Sequence, residues 1–239
     1  MKPKNKSIKW NPQIAYVVGL ITTDGNLSPD GRHLSIISKD IQLLETAKHC
    51  LQIKNKIAPK MSGYTTKKNC YHIQFGNVVF YKWLVEIGLM PNKSKRIKSL
   101  KVPNKYFFNF LRGHLDGDGC IRKFQDPVYP NSQRLYTVFH SASFIHLKWL
   151  QQRISFLLNI YGFIEPSIRE FRLTFAKKES LKLLAKIYPN HKVPCLRRKY
   201  KIAKEFLKNN AEVVKLENTY ASGAYVVRLE GSNPSLGTN

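Results

Sequence analysis

Two aspartates stand at the same place in two similar phrases. Val17–Leu27 reads VVGLITTDGNL and Leu111–Ile121 reads LRGHLDGDGCI. Each phrase is largely apolar, holds one internal glycine and reaches Asp-Gly, which puts Asp24 and Asp118 in register. On a helix, residues at i, i+4 and i+8 share one stripe. Here those stripes are small: Ala15, Gly19 and Thr23 in the first phrase, Asn109, Gly113 and Gly117 in the second. Two such stripes can pack with their backbones nearly touching, which glycine permits at a cost in helix propensity. That packing predicts a helix interface at Gly19 and Gly113, with Asp24 and Asp118 side by side at its foot. Gly25 and Gly119 suit the helix C-caps. Two carboxylates at the negative ends of two helices are electrostatically poor neighbours. A hard divalent cation relieves them, and Mg²⁺ prefers such oxygen ligands. Paired carboxylates with Mg²⁺ beside a phosphodiester are the parts for hydrolysis by activated water. A lone Asp-Gly usually means only a helix stop and turn; two in register, with matching stripes, ask for more.

The elements that must position these acids also recur. After the first phrase come a strand-like stretch from Arg32 to Ser38 and a helical pattern, DIQLLETAKHCL, with apolar Ile41, Leu44 and Leu51. After the second come RLYTVFHS and FIHLKWLQQRISFLL. Further on, YHIQFGNVVFYKWLVEIGLMPNKS matches EFRLTFAKKESLKLLAKIYPNHKVPCLRRKY in outline: strand, polar turn, helix, basic exit. The chain therefore reads as an internal duplication, each unit being helix, two strands, helix, two strands, helix. The expected organisation is a first half over residues 10–100, a join near Ser99–Lys105, a second half over 105–208 and a tail over 209–239 outside the core fold.

Charge narrows the partners. The 239 residues carry 40 Lys+Arg against 15 Asp+Glu, a formal net charge of +25. Such an excess predicts a polyanion, with nucleic acid the first choice and an anionic membrane the second. A hydrophobic content of 43% supports a packed core. No apolar run approaches the ~20 residues of a bilayer span, and MKPKNKSIKW lacks the apolar core of a signal peptide. The cysteines, Cys50, Cys70, Cys120 and Cys195, form no C-x-x-C pair, so reduced thiols are expected rather than a zinc site. The expected location is the cytoplasm, or an organellar matrix for an organelle-encoded chain.

The two phrases resemble the LAGLIDADG motif. Over roughly Trp10 to Leu207 the chain resembles a single-chain, two-motif, intron-encoded LAGLIDADG homing endonuclease. The resemblance implies an α+β fold of two αββαββα units. They form a saddle with two four-stranded antiparallel sheets, pseudo-twofold about two packed motif helices. It implies double-stranded DNA as the partner, sheets in the major groove, and both strands cut at the centre of a long asymmetric site by a monomer. Asp24 and Asp118 take the metal-binding position, with Mg²⁺ as cofactor and Ca²⁺ able to occupy the site without supporting cleavage. The sixth motif position differs between halves, Thr22 against Asp116; Asp116 is expected to pair locally or to stand behind the metal-binding acids rather than to act in catalysis.

The sheets would carry the DNA-binding donors: Arg32, Tyr64, His72 and Gln74 in the first half, and Arg122, Arg134, Tyr136, Arg169, Arg172 and Thr174 in the second. Arginine to guanine and glutamine to adenine would read bases, while lysines would mostly hold phosphates. The resemblance further implies a polar side chain near the scissile phosphates, His140 in the second half, where the first half offers Ile36. It also implies a basic residue at the start of each unit's last helix: Lys93 in the first, and Lys199 or, one register away, Arg198 in the second.

The tail ENTYASGAYVVRLEGSNPSLGTN is small, polar and without a partner in the first half; it reads either as a remnant or as tRNA exon. GSNP is what the common tRNA T-arm GGTTCGAATCC encodes in one frame. The codons from Glu230 onward can close a T-stem, span an acceptor strand and end on ACCA, which points to a target in a tRNA gene. Two other functions use the same scaffold: a maturase binding its host intron RNA, and a non-catalytic DNA-binding regulator. Neither needs Asp24 and Asp118, so their presence favours the endonuclease.

Overall fold

A computed structural model of the chain describes residues 8–60, 70–130 and 132–210. Tyr64 and the tail beyond residue 210 lie outside the described residues. Helix α1 (Pro12–Asp24) begins where local chemistry favours it: the Asn11 side chain accepts a hydrogen bond from the Ile14 N–H at 2.8 Å, and Pro12 opens the first turn. The run Ala15–Thr22 is buried on every side, as expected of a helix apolar all round. Its partner is α4 (Phe107–Asp118), buried from Phe110 to Asp116.

The two helices meet backbone to backbone. A Cβ on Gly19 would overlap the Phe110 carbonyl oxygen and sit 2.7 Å from the His114 nitrogen. One on Gly113 would overlap the Tyr16 carbonyl oxygen and sit 3.0 Å from the Leu20 nitrogen. Nothing larger than glycine fits either place. Gly25 and Gly119 do occupy the C-caps, in extended conformation at φ −90° and −86° rather than left-handed. Space is the reason for them: a Cβ would come within 2.7 Å of the Ile21 or Leu115 carbonyl oxygen.

From each motif helix the chain turns at once into an antiparallel sheet. The first unit continues with β1 (Gly25–Leu27), β2 (His33–Ser38), α2 (Ile41–Leu51), β3 (Ile57–Lys60), β4 (Cys70–Gly76) and α3 (Val78–Glu86). The second continues from α4 with β5 (Cys120–Gln125), β6 (Gln133–Ser141), α5 (Phe144–Leu158), β7 (Phe163–Ser167), β8 (Glu170–Phe175), α6 (Lys177–Ile187) and α7 (Arg197–Asn209). The strand orders are β1-β2-β4-β3 and β5-β6-β8-β7, two four-stranded antiparallel sheets of one topology. Alternation sends Leu34, Ile36, Ile73 and Phe75 of the first sheet, and Leu135, Phe139, Leu173 and Phe175 of the second, into a core continuous with α1 and α4.

Three details depart from the sequence expectation. In α2 the buried stripe is Leu43, Leu44, Ala47 and Cys50, while Ile41, in the first turn, stays exposed. The units are also unequal: α7 has no counterpart, because residues 87–103 of the first half run as turns and extended chain. And Ile36 is not the counterpart of His140. Ile36 pairs with Ile73 as Phe139 pairs with Leu173, both pointing inward; Ile37 pairs with His72 as His140 pairs with Arg172. The slip of one arises because LSII puts two isoleucines together, and only the ladder decides which faces the core.

Helix α7 explains the unequal sixth motif position. Asp116 is fully buried and accepts three hydrogen bonds, from the Tyr16 hydroxyl at 3.0 Å, the Tyr188 hydroxyl at 2.5 Å and the Leu196 N–H at 2.7 Å. Burial pushes its carboxyl up to about 6 despite these donors. Buried Arg112 donates to the carbonyls of Ile187 at 2.7 Å and Pro194 at 2.8 Å. Together they fasten the segment between α6 and α7 onto α4. Thr22, with no such segment to hold, turns its hydroxyl back to the Val18 carbonyl at 2.7 Å. The start of α7 also clasps the other half: Arg198 Nη2 lies 2.9 Å from Asp40 Oδ2, and the Arg197 N–H donates to Gln42 Oε1 at 2.9 Å.

Candidate active site

Asp24 and Asp118 end α1 and α4, so the glycine contact between the helices fixes where both carboxylates emerge. Asp24 senses the charge of Asp118. Asp24 is pushed up to about 7, first by burial and then by the charge of Asp118, against the pull of Lys199 and Lys93. Asp118 keeps an open face to solvent, yet the protein atoms crowding it raise its carboxyl; His140 and the same lysines oppose the rise and Glu170 adds to it.

Two buried lysines close the helix ends. Lys199, 4% exposed, donates to the carbonyls of Leu115 at 2.6 Å, Asp116 at 2.9 Å and Gly119 at 2.6 Å. Lys93, 7% exposed, donates to the Gly25 carbonyl. An ammonium is well placed there, because these carbonyls carry the negative end of the helix dipole. Burial pushes Lys93 down to about 8 and lowers Lys199. Arg198, the alternative, points away to Asp40. Lys199 sits in the first turn of α7, but Lys93 lies in the turns after α3 and starts no helix. The two halves thus bring a lysine to equivalent carbonyls by different routes.

Each aspartate borders its own hollow. The first, about 400 Å³, is lined by Asp24, Asn26, Ile37, Asn92 and Lys93. The second, about 200 Å³, is lined by Asp118, His140, Glu170, Arg169 and the buried His114 and His146. His140 Nδ1 lies 2.8 Å from Glu170 Oε1. His114 and His146 face each other, Nε2 to Nε2, at 3.2 Å, and burial holds both imidazoles toward the neutral form, His146 at about 4.

The expected DNA-binding residues divide. His72 and Gln74 on β4, and Arg122, Arg134, Tyr136, Arg172 and Thr174 on the second sheet, lie on the faces turned away from the core. Arg134 Nε lies 2.6 Å from Asp126 Oδ2, Arg172 Nε lies 3.6 Å from Glu165, and the Tyr136 ring stacks on Phe124 at 5.8 Å. Arg32 and Arg169 are not strand residues: Arg32 precedes β2, and Arg169, at φ 64°, forms the two-residue turn between β7 and β8 with Ile168. That turn brings Arg169 to the hollow at Asp118 instead of onto the sheet face. Sequence reasoning passed over Glu170, Arg112 and the His114–His146 pair. The signal for Glu170 was its place diagonal to His140 across the pairing of β6 with β8, which needs the register.

Among the described residues no group of three or more His, Cys, Asp or Glu side chains gathers as a metal site, no helix is long and apolar enough to cross a membrane, and Cys50, Cys120 and Cys195 are free thiols.

The fold is that of LAGLIDADG homing endonucleases. The LAGLIDADG meganuclease I-AabMI, solved bound to uncleaved DNA, matches with a TM-score of 0.56 and 15% identity over 88% of this chain and 92% of its own. I-WcaI, a homing endonuclease bound to its DNA recognition sequence, matches at 0.55 and 15% over 84% and 94%. Full-length WhiA from Thermatoga maritima matches at 0.54 and 13% over 91% of this chain and 70% of its own, so a protein not named for a nuclease shares the fold. The sequence matches no family model and no curated protein.

Proposed function

We propose that the protein is a site-specific, divalent-metal-dependent DNA endonuclease of the homing type, acting as a monomer on both strands of a long asymmetric target. One observation carries this reading: two carboxylates, one from the end of each motif helix, where the glycine contact brings the helices together, with Asp24 pushed up to about 7 by burial and then by the charge of Asp118. A protein gains nothing in stability from that repulsion, and a divalent cation between the acids removes it.

The donor set fits such a cation. Asp24 and Asp118 offer hard oxygens of the kind Mg²⁺ and Ca²⁺ take, and water and phosphate oxygens would complete the shell. When bound, the cation supplies an activated water and stabilises charge on the phosphate. The chain's own residues do the rest. Lys93 and Lys199 hold positive charge behind the acids, and the sheet-face donors grip phosphates and base edges. The net charge of +25 draws DNA in from a distance. The finer target, a tRNA gene upstream of its T-arm, rests on the tail residues alone.

The test is a cleavage selection from a randomised duplex library with Mg²⁺, run beside an intronless tRNA gene and repeated with Ca²⁺. Cutting at one long site with Mg²⁺, and binding without cutting with Ca²⁺, is the expected result. Cutting of a selected site but not of the tRNA gene removes only the tRNA target. Specific binding that never becomes cutting in any divalent metal overturns the endonuclease in favour of a DNA-binding regulator.

A further inference from the structure

The hollow beside Asp118 holds a pair with no equivalent beside Asp24 among the described residues. Glu170 opens β8, and its carboxylate lies 2.8 Å from His140 Nδ1. The side chains are 15% exposed for His140 and 34% for Glu170, so the pair is held rather than freely solvated. The backbone arranges this. The tight turn at Ile168 and Arg169 pairs Glu170 with Ser167, and Glu170 stands two residues before Arg172, the cross-strand partner of His140. His140 and Glu170 are therefore diagonal neighbours on one sheet face.

An imidazole has two distinct nitrogens, and the bond made by one decides the state of the other. With Nδ1–H donated to a carboxylate, Nε2 keeps its lone pair. Both residues border the hollow that Asp118 also lines. In the first half the corresponding places hold Ile37 and Cys70, since Ile37 pairs with His72 and Cys70 stands two residues before it. An isoleucine accepts no proton.

We propose that Glu170 is a positioning residue that fixes His140 with its Nε2 lone pair free toward the hollow at Asp118, giving the second half alone a proton acceptor for the attacking water. The proposal rests on the endonuclease reading. In the step it serves, the water oxygen bonds to phosphorus, the bond from phosphorus to one sugar oxygen breaks, the water's proton passes to Nε2, and the departing oxygen takes a proton from solvent. In the first half the water's proton goes to solvent. The strand beside Asp118 is therefore cut sooner, and a singly nicked duplex accumulates.

Two measurements on the full chain test this. Nitrogen-15 NMR of the free protein, with the His140 signals assigned from His140→Gln, reads the tautomer without any cutting. The expected result is protonated Nδ1 and bare Nε2 in the wild type, kept in Glu170→Gln and lost in Glu170→Ala. Single-turnover cleavage with each strand labelled separately reads the chemistry. One strand should lead by on the order of tenfold or more. Glu170→Ala should erase the lead with no loss of DNA affinity and an unchanged rate on the other strand, and Glu170→Gln should restore part of it. A wild type with Nε2 protonated, or a lead that survives Glu170→Ala, overturns the proposal. The expected tautomer in a protein that cuts no DNA keeps the positioning role and overturns the endonuclease reading instead.

Discussion

The first and second halves share a strand order and a motif helix, yet they solve the same local problems with different residues. The lysine behind the helix end comes from a turn in one half, Lys93, and from an added helix in the other, Lys199. The sixth motif position is a threonine bonded to its own helix in one half and a buried carboxylate with three outside donors in the other. The hollow beside the aspartate is bordered by an isoleucine in one and by a histidine–glutamate pair in the other. What stays equal is the backbone: glycine against glycine and the emergence of both aspartates. A duplicated fold keeps what two halves must share and lets the rest diverge.

The sharpest test of that shared part is Asp24→Asn beside Asp118→Asn. Either change should take double-strand cleavage to background while specific DNA binding, read by gel shift, is retained. Wild-type cleavage by either variant breaks the equivalence. Next come Gly19→Ala and Gly113→Ala. Each puts a methyl group into a facing backbone, which cannot yield as a side chain can, and each should cost about 3 kcal/mol or more in urea unfolding. A cost below about 1 kcal/mol at either would deny the backbone contact.

Asp116→Asn against Thr22→Val probes the unequal part. The first should cost about 2 kcal/mol, because an amide offers one acceptor oxygen where two serve three donors; the second should stay under about 1 kcal/mol. pH adds a sign. The folded Asp116 carboxyl, at about 6, lies above its ordinary value of 3.8, so the fold favours its protonated form. Its contribution is fully present below the ordinary value and is lost as pH rises through about 6. The stability gap between wild type and Asp116→Asn should narrow from pH 5 to pH 7; a gap that widens removes burial as the cause. The lysines are a further point where the halves differ. Lys199→Met should cost about 2 kcal/mol and Lys93→Met about 1, since Lys199 serves several carbonyls and Lys93 is bonded to one. Equal losses in thermal unfolding would argue against carbonyl capping.

Much of this comparison was legible in the sequence wherever one periodicity could decide it. The small-residue stripes named Gly19 and Gly113 as contact points, and the repeated order gave the strands and helices of each half, whose assembly into two sheets was implied by the resemblance. Legibility stopped where two neighbouring residues competed. LSII could not say whether Ile36 or Ile37 faced inward until strand pairing chose. LRRKYK left Arg198 and Lys199 open until the helix phase of α7 turned one out to Asp40 and the other in to α4. The resemblance implied a helix starting at Lys199 and a matching one at Lys93; only the first forms, as α7. Glu170 was hidden because its meaning depends on a residue thirty positions earlier in the chain.

The place of α7 in the chain bears on synthesis. A polypeptide released just after α6 already carries both aspartates, but it lacks Lys199, the Leu196 N–H that Asp116 binds, and the clasp from Arg198 to Asp40. On the proposed reading, a ribosome that falters late yields a fragment with its acids exposed and its seam unfastened, unable to cut. Assembly of both centres would thereby wait until translation has passed α7.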